Sequence, residues 1–228
     1  HGLAGGSGRT EVLSLLAAPL LLAAPLAAQE FEGMIQMTMS GKEMPEPMTM
    51  KMYVTESRQA MVMTMPASAG PMAGQEARMV INPASGKMTM LIPTPPGSGM
   101  PGKGMKMTMN FAAIAEQAEG SVTKLGTSQT ILGMKCDDYE VKAEDETMKM
   151  CVTTAMGRYR FPDMTGRGRP EMPAWTKAFG NKPAFPLKIW TDDGSMSMEV
   201  TAIERGPVSK EILDENPEGF MAMPGMGG

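Results

Sequence analysis

Methionine dominates the chemistry open to this chain. There are 29, all beyond residue 33, and many recur at every second position. The sets are Met48, Met50 and Met52; Met61, Met63 and Met65; Met88 and Met90; Met105, Met107 and Met109; Met148 and Met150; Met196 and Met198. A thioether is a soft, neutral donor that selects Cu(I). Residues i and i+2 of a strand lie about 7 Å apart at Cα, close enough for two long side chains to converge on one ion. Met105, Met107 and Met109, beside a glycine-rich loop, are the metal candidates, with Met100 and Met44 or Met48 as helpers. The same spacing also makes a strand amphipathic. Two other uses therefore stand beside Cu(I): filling a core, and lining a pliable apolar surface for a lipid-like ligand or a protein partner.

Other reactive groups are sparse. His1 is the only histidine, so no imidazole serves as a general base and no Cys-His or Ser-His pair exists. Carboxylates cluster in turn-like stretches such as Asp137-Asp138, Asp192-Asp193 and Asp214-Glu215, where solvated charge is the expected state. Gly97-Ser98-Gly99 and Gly166-Arg167-Gly168 lack the spacing of a phosphate loop. No catalytic residue is assigned, no cofactor is required, and the chain is expected to be non-enzymatic. A net charge of −4 with scattered Lys and Arg argues against nucleic acid.

Cys136 and Cys151 are the only cysteines, and no CxxC spacing suggests redox or metal chemistry. Folding their segment as a hairpin about Ala143 and Glu144 sets Cys136 opposite Cys151. A non-hydrogen-bonded antiparallel pair brings Cα atoms to about 4.5 Å, within disulfide range. An oxidising compartment would close the bond, for a structural contribution of about 3 kcal/mol.

The elements that position these groups follow from the two-residue period, which is that of strands. Asn82-Pro83-Ala84-Ser85-Gly86 and Asp193-Gly194 supply turns, and Asp-Gly is a strong hairpin signal. The stretch PTPPGSGMPGKG before Met105 reads as a mobile loop. Asn110 is placed to cap a helix over 111–119, and a shorter helix is expected over 174–179. Sheet plus helical cover is an α+β architecture. On it, Met50, Met52, Met61, Met63, Met65, Met88 and Met90 line a concave apolar face, with Trp175, Phe179 and Trp190 near its rim. The ending GFMAMPGMGG has little to order it beyond Phe220.

Residues 12–26 read VLSLLAAPLLLAAPL and precede Ala27-Ala28-Gln29, the pattern of an export signal. A retained anchor and an internal apolar helix are the alternatives, since the run is shorter than the roughly 20 apolar residues that span a bilayer. The organisation read from the chain is a signal or anchor over 1–28, one β-rich domain over 29–224 and a flexible tail over 225–228. Export implies the periplasm. Retention of 12–28 would instead attach the domain to a membrane complex, as an accessory subunit of an electron-transfer or photosynthetic assembly.

The segments FEGMIQM, KMYVTESRQAMVM, MVINPASGKMTMLI, GTSQTILGMKCDDYEV, CVTTAMGRY, FPLKIWTDDG and FMAMP resemble, in that order, the DUF4412 family of exported bacterial proteins. The resemblance runs from Phe31 to Pro224 and is most specific from Gly126-Thr127 through Ile131, Gly133, Cys136 and Tyr139. It implies a curved antiparallel sheet, a half-barrel like that of the lipoprotein carriers LolA and LolB, covered by one or two helices. It brings no catalytic residues. This chain departs from the family in carrying Ser128-Gln129 after Gly-Thr and Met at many Leu, Ile or Tyr positions.

Overall fold

In a computed structural model the described residues are 30–99, 101–110, 121–143, 146–157, 179 and 184–223. The alternating segments become strands: β1 (Gly33–Ser40), β2 (Met48–Val54), β3 (Gln59–Thr64), β4 (Glu76–Asn82), β5 (Lys87–Pro93) and β6 (Gly104–Asn110). The second half gives β7 (Ser121–Ile131), β8 (Met134–Ala143), β9 (Glu146–Thr153), β10 (Phe185–Trp190), β11 (Ser197–Arg205) and the short β12 (Phe220–Ala222). All twelve form one sheet in the order β12-β6-β5-β4-β3-β2-β1-β11-β10-β9-β8-β7. Two meanders fan outward from a central seam where β1 lies antiparallel to β11. The order is linear, so the sheet is open, with β12 and β7 at its edges.

Turn chemistry sets the hairpins as the sequence implies. Ser85 N donates to Asn82 Oδ1 and Gly86 takes the left-handed conformation between β4 and β5. Between β10 and β11, Gly194 N donates to Thr191 O and Ser195 N donates to Asp193 Oδ1. That last bond leads the causes that pull the Asp193 carboxyl down to about 2. On the β7 edge, the register shifts between Lys124 and Ser128, and Lys124 pairs with Asp137 at 2.6 Å. A bulge and a charge are common ways to blunt an exposed edge.

The helical cover expected over 111–119 and 174–179 lies outside the described residues, apart from Phe179. What the described chain shows instead is a cover made by its own ending. After β11 the segment 207–219 crosses β3, β4 and β5, and Val208, Ile212, Leu213 and Phe220 pack with Ala60, Val80 and Leu91. It is pinned by Arg78 Nη1 to Glu211 O (2.6 Å), Arg58 Nη1 to Leu213 O (3.3 Å), Asn82 Nδ2 to Glu215 Oε1 (2.8 Å) and Lys106 Nζ to Asn216 Oδ1 (2.5 Å). Burial there lowers the Arg78 guanidinium below its ordinary value, against the opposing pull of Asp214 and Glu76.

The ending is also ordered further than its composition implies. Phe220, Met221 and Ala222 pair in parallel with Gly104, Met105 and Lys106. Lys103 N donates to Gly219 O and Met223 N donates to Lys106 O. The open edge of β6 supplies a template that a period-based reading of three residues has no means to detect.

Candidate functional site: a thioether face

Directly paired residues of adjacent strands point to the same side of a sheet, and side chains alternate along each strand. Applied to β2–β6, this register sorts the methionines. Met52 faces Met61, Met61 faces Met79, Met79 faces Met90, and Met90 faces Met107. Five thioethers thus form one row across five strands. On the same face Met37 pairs with Met50 and Met50 with Met63, while Met88 pairs with Met109. The opposite face of the same strands carries Tyr53, Ala60, Val62, Val80, Thr89 and Leu91. One side is mostly methionine, with Val54, Gln59, Ala77, Ile81 and Ile92 at the remaining positions. The other sets a small aliphatic cluster, Ala60, Val62, Val80 and Leu91, among Lys51, Arg78, Lys87 and Lys106, and residues 207–220 pack against its centre.

Exposure differs along the thioether face. Met37, Met50 and Met52 are buried in the main core with Phe31, Ile35, Val54, Phe185, Leu187 and Val200, at the central seam. Farther out, Met61, Met63, Met79, Met90, Met105, Met107 and Met109 are half-buried, Met61 still packing against the main core. Met88 is buried, and Met79 and Met109 pack against it and Ile81.

The structure therefore divides the residues singled out by sequence. Met61, Met63, Met88 and Met90 share the half-covered region with Met105, Met107 and Met109, whereas Met50 and Met52 belong to closed core. Met65 lies just beyond β3, where its N–H and C=O bond Gln75 O and Gly74 N. Trp190 is half-buried against the main core. Phe179 packs edge-on to Tyr139 at 4.7 Å, in a cluster with Val141, Met150 and Val152 in the other meander. Trp175 lies outside the described residues. Phe179 thus sits apart from the methionine row, whereas Trp190 packs against the core cluster that contains the row's inner end, Met52. Met79 was missed because its neighbours Val80 and Ile81 mask the alternation around it.

Cys136 and Cys151 are bonded, with Cα atoms 5.2 Å apart. The hairpin register is two residues from the one expected: Asp138, not Cys136, pairs with Cys151, and Ala143 pairs with Glu146. The cysteines are diagonal neighbours, which a twisted pair of strands still brings into range. Beside them the buried Asp138 accepts from Thr127 Oγ1 (2.7 Å) and Gln129 Nε2 (2.9 Å). A buried carboxylate so satisfied is a structural group.

Among the described residues no cluster of three or more His, Cys, Asp or Glu has the arrangement of a metal site. Among them also, no helix is long and apolar enough to cross a membrane. The apolar run 12–26 and the tail 225–228 lie outside the described residues.

No curated protein matches the chain. Among solved structures it is similar to PNGF-II in two crystal forms, with 13% and 12% identity and TM-scores of 0.46 and 0.45. Each covers 85% of this chain and 31% of that one. It is also similar to MucB, solved in complex with MucA(peri), at 11% identity and a TM-score of 0.41 over 80% of this chain and 53% of that one. The chain spans about a third to about half of the structures it matches. A family model described as a domain of unknown function matches residues 31–220, most of the sheet from the start of β1 to the first residue of β12, and the chain belongs to that family, DUF4412.

Proposed function

We propose that this chain is an exported, non-enzymatic binding domain whose partly covered thioether face takes up the acyl part of a lipid-like ligand. One observation carries the reading. Within β2–β6 the methionines gather on one side, buried toward the seam and only partly covered from Met61 outward, while Ala60, Val80 and Leu91 pack the side closed by residues 207–220. Met adapts its three rotatable bonds to irregular surfaces, which suits a ligand of variable chain. Burial of apolar area supplies about 25 cal/mol per Å², from which ordering costs are subtracted. The disulfide suits an oxidising compartment such as the periplasm, and the single histidine at position 1 leaves the domain without an imidazole for catalysis.

The test is native mass spectrometry of protein purified without detergent, followed by titration with a fluorescent fatty acid. Saturable binding that survives Met90→Leu and is lost on Met90→Lys is the expected result. Absence of both co-purified lipid and saturable probe binding would overturn the reading. Release of a co-purifying protein, rather than a lipid, by Met90→Lys would replace the acyl ligand with an envelope protein partner.

A further inference from the structure

We propose that the outer corner of the thioether face, on β5 and β6, is a binding site for a soft monovalent cation, Cu(I). The site crosses two strands instead of running along one. Met88 faces Met109 and Met90 faces Met107, while Thr89–Thr108 and Leu91–Lys106 fall on the opposite side. Four thioethers therefore stand at the corners of a rectangle about 5 Å across the strands and about 7 Å along them at Cα. Met79, opposite Met90, and Met105, two residues before Met107, flank it.

Three features make this more than packing. First, three donors keep surface: Met90, Met107 and Met109 are only partly buried, over a floor formed by the buried Met88 and Ile81. Second, the set is wholly neutral and soft. The nearest strand lysines, Lys87 and Lys106, occupy the opposite face by register. Thioethers keep their lone pairs at any ordinary pH, and soft sulfur selects Cu(I) over oxygen-seeking divalent ions. Third, the same strands use Val80 and Leu91 where packing alone is required. A branched aliphatic gives a better-defined interior than Met. Around this corner branched aliphatics stand at Ile81, opposite Met88, and Ile92, opposite Met105, while all four corner positions are Met.

The full disulfide-bonded chain is titrated anaerobically with Cu(I) against a colorimetric chelator, with ascorbate holding the oxidation state. Wild type is expected to bind one ion per chain, with a sulfur-only first shell in X-ray absorption. Met90→Leu/Met107→Leu is expected to weaken binding by at least about tenfold. The control Met52→Leu/Met61→Leu, in the same row but nearer the seam, is expected to retain it. Leu conserves volume, and the melting temperature of each metal-free variant reports whether the fold persists. A nitrogen or oxygen shell, no stoichiometric binding by wild type, or equal loss in both double variants would overturn the site. Failure here with intact fatty-acid binding leaves the acyl reading standing, so the two are separable.

Discussion

Met90 and Leu91 are neighbours in the chain and opposites in surroundings. Leu91 is 2% exposed and packs beneath Leu213, whereas Met90 is half-buried in the methionine row. The two faces of β3–β5 teach what decides residue type on a two-sided sheet. Where the covering segment belongs to the chain, its shape is constant and branched aliphatics can match it. On the other face the thioethers are buried toward the seam, at Met50 and Met52, and only partly covered farther out. Removing the cover tests this most severely. Truncation after Gly206 exposes Ala60, Val80 and Leu91 and unpairs β6 from β12. Loss of cooperative unfolding and gain of higher-order species in size-exclusion chromatography are the expected outcome. An unchanged denaturation midpoint would mean that the ending covers without stabilising.

Single substitutions at the adjacent pair sharpen the same contrast. Leu91→Ala is expected to cost about 2–5 kcal/mol, the range for a large-to-small change in a closed core. Met90→Ala, on the partly covered side, is expected to cost roughly 1 kcal/mol. Urea denaturation of the two variants gives the comparison directly, and equal losses would erase the distinction between the faces.

The strands, the turns at 82–86 and 193–194 and the disulfide partners were legible because each rests on a local signal. Two-sided burial was only half legible. Alternation at Met88 and Met90 announces one apolar face, yet the doublets Val80-Ile81 and Leu91-Ile92 interrupt it. Such runs mark strands covered on both sides, so the second face was written in the sequence but its cover was not. The cover comes from residues 207–223, whose Pro, Gly and charged composition has no period and whose order depends on partners far away in the chain. Cross-strand identity was hidden for the same reason. A single strand offers Met105, Met107 and Met109, whereas the neighbours Met88 and Met90 become visible only through register. Register also explains the two-residue error at the disulfide, since residue counting gives the middle of a hairpin but not its turn.

A smaller effect tests how the cover is locked at its far end. A Cβ built on Gly104 would fall against the Ile92 carbonyl oxygen and the Phe220 ring. Gly104→Ala is therefore expected to displace Phe220 and cost about 1–3 kcal/mol, as overpacking does. Cu(I) affinity is expected to stay near wild type, because the Met88, Met90, Met107 and Met109 corner lies on the other face. Chemical denaturation and the chelator titration read the two separately. A parallel fall in both would show that β12 couples the faces.

The smallest expected effect lies outside both faces and sets the floor for the comparison. Asp193 accepts from Ser195 N at 3.0 Å in an exposed turn, and its carboxyl titrates at about 2 instead of 3.8. A folded-state pKa below the unfolded one means that ionised Asp193 stabilises the fold above the unfolded value. That contribution is lost as pH falls through the window from 3.8 towards 2. Asp193→Asn is therefore expected to be slightly less stable than wild type near neutrality, with the gap closing as the solution is acidified through that window. Because the group is fully exposed, solvent screening keeps the gap small. Melting temperatures of the two proteins across this pH range check it, and a gap that stays constant would show that it does not come from the ionised carboxylate.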